Sequence, residues 1–274
     1  MAVFILSTGY GRRMKSTALK SWLITSSLLL SAVALSACQP KGEGTADSAK
    51  PQQVQENTIV AIQAKVVPVK LTKSEACDAE GCMQYDIQTI QSNLKWIDDY
   101  FINRIQKADP IAFSTAPNEK INTAEGAVPN LSQSSTYVRF VDQNYNRATF
   151  ALQSYSYSAG AAHGMHHQEF VNFDLKSKKR LALQDVLVKG AEQSVLDAVY
   201  DANIIWLEEH KIERSKLNLS DNFYYGANGI VFVYPLYELA SYAEGMSELT
   251  LPYVAAQKLI KAEYLPSLPS YPNS

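Results

Sequence analysis

Near its start the chain carries a short apolar run that limits which residues can take part in a folded domain. The run, residues 22–34, follows Lys15 and Lys20 and contains no charged residue. A helix needs about 20 apolar residues to cross a bilayer, so this run is too short to span one. A basic segment followed by a short apolar core is typical of a secretory signal. We therefore expect residues 1–37 to be a leader that is removed, with Met14 as an alternative start.

The run ends in Leu35-Ser36-Ala37-Cys38, which resembles a bacterial lipobox, where small residues precede a cysteine that is lipidated. A plain signal peptide with an incidental cysteine, or an anchor that stays uncut, are the alternatives. Acyl chains contribute about 0.8 kcal/mol for each buried CH2 group, so a lipidated Cys38 predicts attachment to a membrane. Gln39, rather than Asp, follows the cysteine and resembles the outer-membrane sorting state of Gram-negative lipoproteins. The expected location is the outer membrane, facing the periplasm.

Residues 38–57 are expected to form a disordered tether. Apart from Val54 they contain no aromatic residue and no aliphatic residue larger than alanine, so they cannot bury enough apolar surface to fold. A flexible chain of this length spans about 24 Å on average. Loss of the leader removes four basic residues and no acidic one, which changes the formal charge from -2 to -6. This acidic balance excludes a basic field for nucleic acid.

Cys77 and Cys82 flank the short segment Asp78-Ala79-Glu80-Gly81 between two strand-like stretches. Two cysteines in this arrangement can meet across the mouth of a hairpin, within disulfide range. An exported protein also encounters an oxidising compartment, which favours pairing. A metal site and a redox motif are alternatives, although the spacing lacks a second ligand pair and differs from the usual CxxC. The sequence favours a structural disulfide.

Hydrophobic periodicity predicts a mixed set of strands and helices after residue 58. Strands are expected at 59–67, 84–89, 137–142, 147–158, 168–175, 180–183, 223–225, 230–234 and 249–251. Helices are expected at 93–107, 190–210 and 252–262, and residues 108–134 are expected to form a loop with a short helical turn. This order indicates an α+β fold with mostly antiparallel sheets and packed helices. Two intimately associated halves, 58–134 and 135–264, are expected, followed by a tail at 265–274.

Three of the four histidines lie together, as His163, His166 and His167. Imidazole is a common zinc ligand, but His163 and His166 show neither the HxH nor the HExxH spacing, so they are only weak metal candidates even with Glu169 or Asp174 nearby. A hairpin loop with locally bonded imidazoles is the alternative. The mature chain lacks a GxSxG nucleophile motif, a phosphate loop and a dinucleotide fingerprint, so no catalytic residue and no cofactor is assigned.

Two stretches carry a resemblance to a known family. The first, SYSAGAAHGMHHQEFVNFDLKSKKRLALQDVL, is similar to the core of RsiV-like domains. The second, NFYYGANGIVFVYPLYELASYAEGMSELTLPY, resembles the closing motif of the same family, and residues 59–107 resemble its companion N-terminal half. The sequence has Ala161 where the family often has the second of two glycines, so a close backbone approach there is less certain.

The resemblance implies a domain that binds or senses rather than one that catalyses. Such domains precede the catalytic domain in PdaC-type peptidoglycan deacetylases and form the extracellular part of RsiV-type anti-sigma factors, which recognise lysozyme. The implied partner is therefore a lysozyme-like protein or peptidoglycan. The candidate binding surface comprises His163, His166, His167, Tyr237, Glu238 and Tyr242. The alternative functions are a cell-wall hydrolase or deacetylase-type enzyme using the His163–His167 loop, and an assembly factor for outer-membrane components.

Overall fold

A computed structural model describes residues 59–120 and 130–266. The expected leader at 1–37, the lipidation site Cys38 and the tether at 38–57 lie outside the described residues, as does the tail beyond Pro266. Among the described residues, no helix combines the length and the apolar character needed to cross a membrane.

Strands and short helices follow one another along the described chain. The strands are β1 Ala64–Pro68, β2 Glu75–Cys77, β3 Gly81–Ser92, β4 Asn130–Asn144, β5 Arg147–Tyr157, β6 Met165–Asp174, β7 Lys179–Leu181, β8 Phe223–Tyr225, β9 Gly229–Tyr234 and β10 Ser247–Pro252. The helices are α1 Lys95–Ala108, α2 Leu183–Val186, α3 Glu192–Ala202, α4 Ile204–Glu209 and α5 Tyr253–Ala256.

Within residues 59–120 and 130–266, seven strands form one large sheet and three form a small sheet. The order of the large sheet is β1-β3-β4-β5-β6-β7, with β2 paired to one end of β3, and the order of the small sheet is β10-β9-β8. Strands β3 and β4 are parallel, whereas the other named pairs are antiparallel. A parallel pair needs a long crossover, which here contains α1. The predicted α+β fold with mostly antiparallel sheets is confirmed.

Helix α1 covers one face of the large sheet. Ile97, Phe101 and Ile105 recur at intervals of four residues and are fully buried, as a helix with one apolar face requires. The Phe101 ring lies 5.4 Å from that of Phe150 and 6.0 Å from that of Phe173 on the sheet. The helix therefore holds β5 and β6 in place from one side.

The small sheet packs on the opposite face of the large sheet. Ala151 and Phe170, on β5 and β6, pack with Val231 and Val233 of β9. Helices α2, α3 and α5 then cover the other side of the small sheet in a separate core that includes Tyr234. The candidate site lies beside this junction, because the segment from β9 to β10 crosses the start of β6 there.

Residues 130–136 differ from the expected loop, because β4 begins at Asn130 and pairs in parallel with β3. The expected boundary between residues 134 and 135 therefore lies inside a strand. Both expected halves contribute strands to the large sheet.

The helices expected at 190–210 and 252–262 are both shorter in the structure than the sequence predicts. The first is interrupted at Asn203, which separates α3 from α4. Its side-chain amide donates to the Thr250 carbonyl oxygen at 2.9 Å, and its oxygen accepts from the Thr250 N–H at 3.1 Å. These bonds satisfy the backbone of β10 as a neighbouring strand would. Helix α5 ends at Ala256, after a single turn.

Candidate functional site

The histidine-rich segment is divided between a loop and the start of β6. Strand β6 begins at Met165, three residues earlier than expected, so His166 and His167 belong to it while His163 stays in the loop. Successive residues of a strand point to opposite faces. His166 lies opposite Tyr155, on the face that carries the small sheet, whereas His167 lies opposite Ser154, on the α1 face. His167 therefore does not join the other two histidines.

His163, His166, Tyr237 and Tyr242 form a cluster of rings that we call the aromatic platform. The His163 and Tyr242 rings are stacked with centroids 4.0 Å apart, and Tyr237 lies 5.7 Å from Tyr242 in a nearly parallel orientation. The His166 ring meets Tyr242 edge-on at 6.0 Å. Residues that are more than 70 positions apart in the sequence thus share one surface.

Hydrogen bonds fix the orientation of two of these rings. The Tyr242 hydroxyl donates to the Gly164 carbonyl oxygen at 2.8 Å. The same carbonyl lies 3.1 Å from His163 Nδ1, so Nδ1 carries the hydrogen, since a carbonyl can only accept. In the neutral ring Nε2 is then an acceptor, and the Tyr237 hydroxyl lies 3.4 Å from it. The platform is held together by its own polar atoms.

Gly164 brings the loop against Tyr155, which is not among the residues of the predicted binding surface. Gly164 is buried, and a Cβ atom at this position would lie 2.3 Å from atoms of the Tyr155 ring. Only glycine fits without displacing that ring. The close backbone approach in this loop therefore occurs at Gly164 and not at the exposed Ala161, where the family often has a glycine. The alternation of Tyr155 and Tyr157 along β5 was the signal available in the sequence.

The remaining predicted surface residue, Glu238, is exposed beside Tyr237. Its backbone N–H donates to the Pro235 carbonyl oxygen at 3.2 Å. Tyr237 itself has a φ of 68°, in the left-handed region that non-glycine residues rarely adopt. The sharp turn at residues 235–238 projects the Tyr237 ring outward and leaves it 55% exposed.

The acidic residues considered as metal ligands are engaged elsewhere. Glu169 forms paired bonds of 2.7 Å with Arg104 on α1, and Asp174 accepts from the turn that follows β6. Among the described residues, a group of three ligand atoms within 4.8 Å of one another occurs only at Glu75, Cys77 and Cys82. Those cysteine sulfurs are bonded to each other as a disulfide across β2 and β3, with Cα atoms 4.0 Å apart. A disulfide offers no thiolate to a metal.

An ion pair between His210 and Glu244 stabilises the turn that carries Tyr242. Tyr242 begins a short turn that ends at Glu244, whose carboxylate accepts from the Ser241 hydroxyl at 2.8 Å and from His210 Nε2 at 2.6 Å. His210 Nδ1 lies 2.7 Å from the Trp206 carbonyl oxygen, and its ring stacks on Trp206 at 3.8 Å. Since both ring nitrogens face acceptors, the geometry favours the imidazolium form.

This pair makes the turn sensitive to pH. The bond to Glu244, and then that to the Trp206 carbonyl, raise the pKa of His210, while the bond from His210, followed by that from Ser241, lowers the pKa of Glu244. The histidine contribution to stability is complete below its unfolded pKa and is lost as pH rises through the raised value. The glutamate contribution is complete above its unfolded pKa and is lost as pH falls. The pair therefore stabilises the turn most between about pH 4.3 and 6.5.

Replacing Glu244 with glutamine should lower the pKa of His210 toward its ordinary value, because the strongest partner of the imidazolium loses its charge. An NMR titration of the His210 ring measures this change. Glu248→Gln is the matched control, since Glu248 bonds to Tyr224 and not to His210. An unchanged His210 pKa in Glu244→Gln would contradict the ion pair.

The chain is similar to one protein family model and to solved structures of two proteins of that family. Residues 176–254 match the family model described as a protein of unknown function, DUF3298. The chain is similar to the crystal structure of a DUF3298 family protein from Pseudomonas aeruginosa PAO1, with 20% identity and a TM-score of 0.58 over 77% of this chain and 99% of that one. It is also similar to a DUF3298 member from Bacteroides fragilis NCTC 9343, with 16% identity and a TM-score of 0.52 over 74% and 95%. No curated protein matches the sequence. These likenesses establish the fold.

Proposed function

We propose that this chain, which shares its fold with the two DUF3298 proteins, is a non-catalytic binding protein of the Gram-negative cell envelope. In this proposal Cys38 carries the lipid that attaches it to the outer membrane, and residues 39–57 let the folded domain reach into the periplasm. The partner binds on the aromatic platform and is a component of peptidoglycan or a lysozyme-like protein.

The exposed ring stack is the observation that carries this proposal. Tyrosine combines a large apolar area with a polar tip and has few rotatable bonds, so it is well suited to recognition surfaces. The rings of Tyr242 and His163 are fixed before any ligand arrives, through Gly164, and Tyr237 is left open beside them. Pre-fixed rings lose little side-chain entropy on binding.

The environment of the histidines favours binding over catalysis. A histidine that acts as a general base is usually oriented by a carboxylate. Within residues 130–266, no carboxylate is hydrogen-bonded to His163 or His166, whose ring neighbours are Tyr237 and Tyr242. Both histidines are instead exposed members of the ring cluster.

The choice of partner follows from the resemblance to RsiV-type and PdaC-type domains and from charge. The mature chain has a formal charge of -6, which disfavours nucleic acid as a partner. Peptidoglycan and lysozyme-like proteins both occur in the compartment that the leader predicts.

The test is binding of the purified mature protein, in detergent, to peptidoglycan sacculi and to lysozyme. Tyr237→Ala should weaken binding about 30-fold, because an aromatic anchor at an interface contributes about 2 kcal/mol. Tyr145→Ala is the matched control. Tyr145 is likewise an exposed tyrosine with a positive φ, but it lies in the β4–β5 turn. It should bind like the wild type.

Gly164→Ala provides an independent arm of the same test. The added methyl group must displace the Tyr155 ring, so binding should fall although the platform residues are unchanged. The proposal would be refuted if the protein bound neither peptidoglycan nor lysozyme. It would also be refuted if Tyr237→Ala and Tyr145→Ala lost the same binding affinity. Release of soluble peptidoglycan fragments that is abolished by His163→Ala with His166→Ala would indicate a hydrolase instead.

A further inference from the structure

The aromatic platform borders a part of the large sheet, on β3 and β4, that lies outside the contact with the small sheet. Ile87 and Val138 point to the α1 side and are buried, so their neighbours along β3 and β4 point to the opposite side. There the small sheet packs on Ala151 and Phe170 of β5 and β6, and no residue of β3 or β4 takes part in that contact. Asp86 and Gln133 on this side are exposed. These exposed positions lie on the same side of the sheet as the platform residue His166.

A single row of side chains crosses this surface at right angles to the strands. Asp86 lies opposite Ser135, Ser135 opposite Tyr155, and Tyr155 opposite His166. The row then meets the platform, since the His166 ring lies 6.0 Å from that of Tyr242. With neighbouring strands about 4.8 Å apart, Asp86 and His166 are separated by about 14 Å. The row therefore extends the platform by about 14 Å across the sheet.

The side chains along the row are almost entirely uncharged hydrogen-bonding groups. A parallel row beside it consists of Gln88, Tyr137, Gln153 and Gln168. The two rows are linked where the Tyr137 hydroxyl donates to Asp86 at 2.5 Å, and Gln153 donates to Gln168 at 2.6 Å. At the far end the surface deepens into a groove of about 470 Å³. It is lined by Ser74, Glu75, Gln84, Tyr85, Asp86, Gln133 and Ser135.

We infer that this row holds an extended, uncharged chain of N-acetylated amino-sugar rings, with one end stacked on the aromatic platform. The inference rests on the proposed function and specifies the ligand and its path. Amide, hydroxyl and carboxylate groups match sugar hydroxyls and acetamido groups, and exposed tyrosine rings match the apolar faces of sugars.

Charge and polarity argue against the other polymers. An anionic chain would meet Asp86 on the row and Glu75 in the groove. The centre of a protein interface is normally more apolar and depleted in charge, whereas the only large apolar groups in the two rows are the rings of Tyr137, Tyr155 and His166. An uncharged polar chain is the occupant that both observations fit.

Calorimetry with N-acetylglucosamine oligomers of two and six units tests the row on the mature protein. The longer oligomer should bind about tenfold more tightly than the shorter, because it alone reaches Ser135 and Asp86 and gains their hydrogen bonds. The double variant Asp86→Ala/Ser135→Ala should lower affinity for the hexamer to that for the dimer. Affinity for the dimer itself should change less than twofold.

Asp99→Ala is the matched control, since Asp99 is a carboxylate of α1 on the other side of the sheet. It should leave both affinities unchanged, and thermal melting of each variant checks that the fold is retained. Equal affinity for both oligomers would contradict binding along the row, and so would an unchanged affinity of the double variant for the hexamer. Neither result would contradict binding at the platform. Binding of lysozyme without binding of either oligomer would overturn the sugar chain but keep the proposed function. Retention of no envelope partner at all would overturn both.

Discussion

Cys38→Ser is expected to abolish incorporation of radiolabelled palmitate and to remove the protein from the outer-membrane fraction. Lipidation of such a cysteine takes place on its sulfur, which serine lacks. Several acyl chains at about 0.8 kcal/mol for each buried CH2 group make attachment effectively permanent, so their loss is an all-or-none change. Fractionation of cells that express the full chain, with labelling in parallel, measures both effects.

Gln39→Asp is the control that separates lipidation from sorting. This variant keeps Cys38 and should incorporate palmitate at the wild-type level, but it should stay in the inner membrane. Residues 59–266 are unchanged in both variants, so neither is expected to alter folding. Palmitate labelling that persists in Cys38→Ser would exclude Cys38 as the lipidated residue and, with it, the lipobox on which the proposed envelope location rests.

The elements that the sequence predicted well are those whose pattern is local. Helix α1 was expected from the spacing of Ile97, Phe101 and Ile105, and the structure buries all three. The hairpin of β8 and β9 was expected from Gly226 to Gly229, which separate two runs of β-forming residues. In each case the residues that determine the element are close together in the sequence.

The parts that could not be predicted depend on partners far away in the sequence. Residues 130–136 are mostly polar and become a strand because β3 supplies a parallel partner, about fifty positions earlier. Asn203 interrupts a helical pattern because the edge of β10 needs its amide. Arg147 is buried as the first residue of β5 because its guanidinium stacks 3.3 Å from the Tyr225 ring and bonds to the Tyr264 carbonyl oxygen.

The candidate site shows the same division. The resemblance grouped His163 with Tyr237 and Tyr242, and in the structure their rings lie together although they are 74 and 79 positions apart in the sequence. The resemblance could not show that His166 and His167 lie on opposite faces of the sheet, because that depends on where β6 begins. Tyr155 and the row that leads to Asp86 depend on the register of four strands, and one shifted position would turn each side chain to the other face. Such a surface becomes visible only when the pairing is known.

Phe101→Ala is expected to have the largest effect on the stability of the folded domain. Phe101 is fully buried where α1 meets the large sheet, and its ring contacts those of Tyr100, Phe150 and Phe173. Truncation removes apolar area and leaves a cavity that neighbouring rings cannot readily fill, at a cost of about 3–5 kcal/mol. Urea denaturation of the oxidised protein should show a lower midpoint with little change in slope.

Tyr145→Ala serves as the surface control in this experiment, because Tyr145 is 65% exposed in the turn between β4 and β5. Its replacement should change the free energy of unfolding by no more than about 0.5 kcal/mol. Phe101→Leu should fall between the two variants, since leucine refills part of the cavity. A loss below about 1 kcal/mol in Phe101→Ala would mean that α1 is not essential for holding β5 and β6. The platform would then need another source of rigidity, because His166 lies on β6 and is paired with Tyr155 on β5.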